Sequence, residues 1–336
     1  MRWPTRWRKA RSCWHSSCPN RPPQGTDVDI IFHATGGAAQ PWLDVLEREL
    51  PQAKIRIWQE GDAAAADYAI VWKPPAAMLH GRRGLKAIFN LGAGVDAILQ
   101  LGDALPHGVP VVRLDDAGMG IQMAEYVSHA VLRYFRRLDS YQMQRDRQQW
   151  RFLKPYDKAE FSVGILGLGV LGGRIAQALQ QFGFPLHGWS RTQKQLPGVT
   201  CHAGEQGLDT FLRATRVLVC ILPLTEDTVG ILNAHNLSKL PRGAYLVNVA
   251  RGAHLVDADL LQLLQQEHLA GATLDVFNEE PLPAAHPFWQ EQRISMTPHI
   301  SALTLREDSA RQIAGKIQAM QQGLPVSGMV DRLKGY

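Results

Sequence analysis

The 336 residues are 45% hydrophobic and 20% charged, enough apolar side chain for two cores of ordinary domain size, which excludes a disordered or fibrous chain. The formal net charge of +5 is confined to the start, where Arg2, Arg6, Arg8, Lys9, Arg11 and Arg21 face Asp27 alone. The remainder holds 30 basic and 30 acidic residues, so no nucleic-acid footprint is expected on the folded body.

Residues 1–27 also hold Trp3, Trp7, Trp14, Cys13, Cys18 and four prolines, with no helical or strand period. They lack the apolar stretch of a secretory signal, and Pro4, Pro19, Pro22 and Pro23 oppose the amphipathic helix of an organellar leader. A disordered extension, or a start assigned too early, is expected there. Cys13 and Cys18 have no second pair, so no metal site is expected. Cys201 and Cys220 add no framework spacing, which fits a reducing cytoplasm. No window reaches 18 apolar residues, so no membrane partner is expected.

From Val28 the order is strand (28–32), helix (42–50) and strand (54–58), followed by strands at 68–72, 85–91 and 109–114. This is an α/β unit in its own right. One long amphipathic helix is predicted from about Gln122 to Gln149, with an apolar stripe of Tyr126, Ala130, Val131, Tyr134 and Leu138.

Phe161 to Leu166 then reads as a strand buried on both faces, and Arg174 to Phe182 as a helix. Between them, Gly167-Leu168-Gly169-Val170-Leu171-Gly172 reproduces G-x-G-x-x-G at a strand-to-helix junction. The first glycine serves the tight turn, the second the approach of a pyrophosphate, and the third helix packing. The next strand, 185–190, ends where such a fold reads the adenosine ribose. An acidic residue there would accept the 2′-hydroxyl, but this chain has Ser190-Arg191-Thr192 with Lys194 close by. A cation and two hydroxyls suit a 2′-phosphate, so NADPH is expected, with NADH the weaker alternative.

Four further strands, 216–222, 244–250, 271–277 and 293–298, end near Leu222-Pro223, Arg251, Glu280 and His299. In an open parallel sheet these carboxyl ends face one crevice. There His299 could protonate a carbonyl oxygen as a hydride reaches its carbon, and Glu280 could fix the imidazole tautomer. Arg251 offers a planar fork to an α-keto carboxylate.

These glycines, Leu246-Val247-Asn248-Val249-Ala250-Arg251-Gly252, Leu274-Asp275-Val276-Phe277-x-x-Glu280-Pro281-Leu282 and Thr297-Pro298-His299 together resemble the signatures of the D-isomer-specific 2-hydroxyacid dehydrogenases. Met78-Leu79-x-Gly81, Gly92-Ala93-Gly94-Val95-Asp96, Ser190-Arg191-Thr192 and the ending Val330-Asp331-Arg332-x-x-Gly335-Tyr336 are similar to its glyoxylate- and hydroxypyruvate-reducing members. The resemblance implies an α/β fold of two Rossmann-like doubly wound domains with a cleft between them. The substrate domain would be 28–121 with 303–336, and the inserted NADP-binding domain 122–302. It implies catalysis by Arg251, Glu280 and His299, with a small 2-oxo acid held by Arg251 and the loop of Gly92, Ala93 and Gly94. Asp275 would hold the nicotinamide carboxamide, Leu222, Pro223 and Val249 would line the cofactor path, and Ser190, Arg191 and Thr192 would take the 2′-phosphate. The products would be glycolate and D-glycerate, and the assembly a homodimer. A D-lactate or 3-phosphoglycerate type of dehydrogenase, or a dinucleotide-sensing protein without turnover, are the other readings of the same scaffold.

Overall fold

The structure, a computed structural model, describes residues 28–336. The expectations for residues 1–27, Cys13 and Cys18 included, lie outside the described residues. The first unit runs β1 (Val28–Ala34), α1 (Gln40–Glu49), β2 (Ala53–Ile57), β3 (Tyr68–Trp72), α2 (Ala76–Leu79), β4 (Ala87–Asn90), α3 (Asp96–Leu99) and β5 (Val111–Val112). Its strands pair in parallel in the order β2-β1-β3-β4-β5, a doubly wound order whose crevice lies at the strands' carboxyl ends. The sheet is buried on both faces. Ile30, Phe32, Ile70 and Phe89 enter one core, and Ile31, Ala69, Val71 and Ile88 the other, as the period of two requires.

Two helices, α4 (Met119–Phe135) and α5 (Leu138–Asp146), lead into β6 (Val163–Leu166), α6 (Val170–Gln180), β7 (Leu186–Ser190), β8 (Thr200–Ala203), α7 (Gly204–Arg213) and β9 (Val217–Cys220). Then come α8 (Ala234–Leu237), β10 (Ala244–Asn248), α9 (Asp257–Gln265), β11 (Leu269–Leu274), β12 (Ile294–Met296) and α10 (Arg306–Gln321). The second sheet is parallel, in the order β12-β11-β10-β9-β6-β7-β8. The order reverses between β6 and β9, the switch point where doubly wound sheets take their ligands. The final helix leaves this sheet, and its Ala310, Ile313, Ala314 and Ile317 join the core of the first unit beside α1.

The single helix expected over 122–149 is instead two. Arg137 adopts a left-handed backbone, φ 59°, and ends the α4 register. The break is held from outside the helix: the Arg137 guanidinium donates to the Lys154 carbonyl at 3.0 Å and sits 5.1 Å over the Tyr156 ring. Past it the apolar stripe fails, and Leu138 is exposed. The stripe that remains, Met123, Val127, Ala130, Val131 and Tyr134, packs with Ile175, Ala176 and Leu179 of α6. Because α4 begins at Met119, the expected domain boundary at residue 121 falls inside its first turn. Among the described residues no helix is long and apolar enough to cross a membrane.

Candidate active site

A cavity of about 550 Å³ opens where the carboxyl ends of the two sheets face each other, lined from the first unit by Trp72 and the Gly92–Asp96 loop and from the second by the ends of β6, β7, β9 and β10. At the switch point Gly167 has φ +118°, and a side chain there would meet the backbone of Ile221 at 2.8 Å. Gly172 packs tighter still, since a Cβ would lie 1.9 Å from the Gly167 carbonyl oxygen. Gly169, by contrast, would find nothing within 4 Å. This open space lies at the N-terminus of α6, whose first amides have no partner within the helix and whose dipole end is positive. Two closed glycines and one open one fit a pyrophosphate. Val170 and Leu171 line the cavity, whereas the Leu168 side chain is buried under β7 and only its backbone is available.

Ser190, Arg191, Thr192 and Lys194 all line the far end of the cavity. Lys194 Nζ donates to the Leu168 carbonyl at 2.6 Å, bringing a cation back onto the glycine turn. The Ser190 hydroxyl donates to the Thr192 carbonyl at 2.9 Å, so its proton shapes the turn. Arg191 is exposed, and its guanidinium makes no hydrogen bond or ion pair among the described residues. Leu222, Pro223 and Val249 line the path between.

At the other end, Arg251 leaves β10 and enters the cleft. Its Nε donates to Asp96 Oδ1 of the facing unit at 3.1 Å and its Nη1 to the Ala250 carbonyl at 2.7 Å. Nη2 has no such partner, and it lies against Gly94, where a Cβ would stand 1.8 Å away. The loop holding Gly94 is fixed by buried Asn90, whose Nδ2 donates to the carbonyls of Gly92 at 3.0 Å and Gly94 at 2.8 Å. Gly92 is tight against Trp72, a Cβ there falling 2.4 Å from the indole.

His299 also lines the cavity. Its Nδ1 lies 2.8 Å from Glu280 Oε2, and Glu280 Oε1 accepts the Phe277 amide at 3.0 Å. An ionised carboxylate only accepts, so Nδ1 carries the proton and Nε2 is the nitrogen left for chemistry. Of the two neighbouring glutamates it is Glu280, as expected, that meets the imidazole. His299 itself is left-handed at φ 56°, a conformation a non-glycine residue keeps only where its surroundings impose it.

Asp275 imposes it. The residue is completely buried and absent from the cavity lining. Its Oδ1 accepts Thr297 Oγ1 at 2.6 Å and the Ile300 amide at 2.9 Å, and its Oδ2 accepts the Ser301 amide at 2.7 Å. Its carbonyl takes the His299 amide at 2.9 Å. The carboxylate thus ties down the loop that carries His299, with Oδ1 accepting twice and Oδ2 once. Tyr126 extends the strut, its hydroxyl 2.5 Å from Thr297 Oγ1, and burial pushes its pKa up to about 12. Two functional contacts were missed from sequence. Asp96 was visible only as the end of a glycine motif, and Asn90 as the end of an apolar strand.

The chain matches the family model described as D-isomer specific 2-hydroxyacid dehydrogenase, NAD binding domain, over residues 128–301. It is 50% identical over 313 residues to glyoxylate/hydroxypyruvate reductase A of Yersinia enterocolitica, covering 92% of this chain and 100% of that protein. It is 51% identical, with the same coverage, to the protein of that name from Serratia proteamaculans. Among solved structures it is similar to a D-isomer specific 2-hydroxyacid dehydrogenase from Xanthobacter autotrophicus Py2 in complex with NADPH and MES. That match has a TM-score of 0.88 and 39% identity, covering 93% of this chain and 100% of the other. An NADPH-dependent glyoxylate/hydroxypyruvate reductase from Sinorhizobium meliloti, in complex with NADP and sulfate, matches with a TM-score of 0.85 and 35% identity over 92% of this chain and 100% of that one.

Proposed function

The chain belongs to the D-isomer-specific 2-hydroxyacid dehydrogenases, and we propose that it is an NADPH-dependent reductase of small 2-oxo acids, converting glyoxylate to glycolate and hydroxypyruvate to D-glycerate. The observation that carries this reading is one cavity with Arg251 and the Glu280–His299 pair at one end and Arg191 with Lys194 at the other. The names of the relatives point to the same two acids.

NADPH, bound along the glycine turn, supplies the hydride that reaches the carbonyl carbon. Every other part of the reaction falls to this chain. Arg251 presents the unpaired N–H groups of Nη2 to the substrate carboxylate, with the Gly92, Ala93 and Gly94 amides closing on the same group. Asp96 holds that guanidinium from the facing unit by a charge-assisted hydrogen bond. His299 gives a proton from Nε2 to the ketone oxygen as negative charge builds there, a step worth about 10²- to 10⁴-fold in rate. Glu280 accepts from Nδ1 and so fixes the ring with Nε2 toward the ketone oxygen. Asp275 and Thr297 hold the backbone on which His299 stands. The 2′-phosphate would lie against Arg191 and Thr192, with Lys194 between it and the glycine turn.

The same reading divides the chain into a substrate domain of 28–121 with 303–336 and a cofactor domain of 122–302. Support comes from the return of α10 to the first core. It also makes the protein a homodimer of the cytoplasm. Trp150 and Phe152, both largely exposed after α5, are apolar surface that a second copy would cover, and the free thiols of Cys201 and Cys220 suit a reducing compartment.

The configuration of glycerate formed from hydroxypyruvate and NADPH, read by chiral chromatography, tests the proposal. D-Glycerate alone is expected. L-Glycerate or a racemate would contradict the placement of His299 and Arg251 around one face of the ketone.

A further inference from the structure

The last residues of the chain run away from the cofactor unit and then return to it. Residues 328–330 add to the edge of the first sheet, with the Arg113 amide donating to the Gly328 carbonyl and the Val330 amide to the Val111 carbonyl, both at 2.9 Å. Arg332 anchors the next step, its Nη2 donating to the carbonyls of Pro106, at 3.2 Å, and Val109. Asp331 then closes a turn, accepting the Leu333 amide at 3.1 Å and the Lys334 amide at 3.2 Å. Gly335 follows at φ +80°, with room for a side chain removed by Thr225 of the cofactor unit at 2.9 Å. This turn delivers Tyr336 to the cavity, where its ring lies 5.1 Å from the Arg191 guanidinium carbon. The ring is the contact that holds Arg191, which makes no hydrogen bond or ion pair among the described residues.

We propose that Tyr336 determines cofactor choice by holding Arg191 in place for the 2′-phosphate of NADPH, and that residues 328–336 strap the adenosine end of the cleft from the opposite unit. The inference rests on the NADPH reading above and adds to it a residue whose ring acts through Arg191. The five N–H groups of a guanidinium lie in its plane. A ring that lies under the guanidinium without a hydrogen bond therefore restrains the group while leaving its donors uncommitted for phosphate oxygens. A cation held in advance loses less freedom on binding, and that difference appears as affinity. NADH has no 2′-phosphate, so Tyr336 has nothing to contribute to it through Arg191.

The test is the Michaelis constant for each cofactor in the full-length protein, with glyoxylate saturating, for Tyr336→Ala, Tyr336→Leu and Tyr336→Phe, alone and with Arg191→Ala. Loss of the aromatic face in the Ala and Leu variants should raise the constant for NADPH about two- to fivefold, the size of an exposed cation–π contact, and leave that for NADH unchanged. Phe should restore the parent value. In the Arg191→Ala background the Tyr336 substitutions should have no further effect. Equal changes for both cofactors, or an unchanged NADPH constant in the Leu variant, overturn the role of Tyr336. If Arg191→Ala itself fails to separate NADPH from NADH, the 2′-phosphate reading falls instead, so the two failures are distinguishable.

Discussion

Replacing Gly94 with alanine separates catalysis from folding. The added Cβ would lie 1.8 Å from Arg251 Nη2, 2.9 Å from its Cζ and 3.1 Å from Asp96 Oδ1. Everything it meets is the end of a side chain, and Gly94 does not have the left-handed backbone that would exclude alanine. The loop can therefore stay where Asn90 holds it while the guanidinium swings away. The cost in stability should stay within about 0.5 kcal/mol, as for a substitution that strains no core. The substrate carboxylate, however, loses hydrogen bonds to a charged group, worth about 1.5–3 kcal/mol. That corresponds to a fall in kcat/KM for glyoxylate of about 10- to 150-fold. Steady-state kinetics at saturating NADPH measure it, with a thermal midpoint and an NADPH titration as controls that should barely move. A kcat/KM within twofold of the parent would refute the placement of Arg251 on the carboxylate.

His299→Ala should lower kcat by about 10²- to 10⁴-fold with little change in NADPH affinity; turnover near the parent value would remove His299 from the acid role. Asp275→Asn turns one acceptor into a donor that must face the Ile300 or Ser301 amide or the Thr297 hydroxyl. A loss of about 1–3 kcal/mol in stability, accompanied by slower turnover, is expected by denaturant unfolding and kinetics, and an unchanged kcat would deny that this strut positions His299. His187 Nδ1 and His202 Nε2 are 3.1 Å apart, and burial holds both pKa values below the ordinary histidine value, with the charge of His202 adding to the effect on His187. Below about pH 6.5 the unfolded chain then binds protons that the folded one refuses, so stability falls as the pH drops. The thermal midpoint should decline on going from about pH 7.5 to 5.5, and His202→Gln should flatten the decline; parallel curves would contradict this.

The parallel sheets were legible because their strands are buried on both faces and bounded by turn residues, as in Val163–Leu166 and Ala244–Asn248. The meeting of Glu280 with His299 followed from strand ends alone, since a parallel sheet aims them all one way. What was misread depended on contacts distant in sequence. The break at Arg137 is made by Lys154 and Tyr156, and nothing between 122 and 149 announces it. β8, with one exposed and three half-buried residues, is a sheet edge without an apolar signal. Asp275 takes its cofactor role from the resemblance alone, and its hold on Thr297, Ile300 and Ser301, 22 to 26 residues along the chain, is announced by no motif. Asp96 shows the reverse case: its value lies in reaching Arg251, 155 residues away.

The most direct measurement is the initial rate of NADPH and NADH oxidation by the purified protein with glyoxylate, hydroxypyruvate, pyruvate and 3-phosphohydroxypyruvate. Rapid oxidation of NADPH with the first two acids, well above that of NADH, is the predicted result. Binding of NADPH without turnover on any of the four would contradict the assignment of Arg251 and His299 to these substrates. Equal rates with both cofactors would contradict the assignment of Arg191 to the 2′-phosphate.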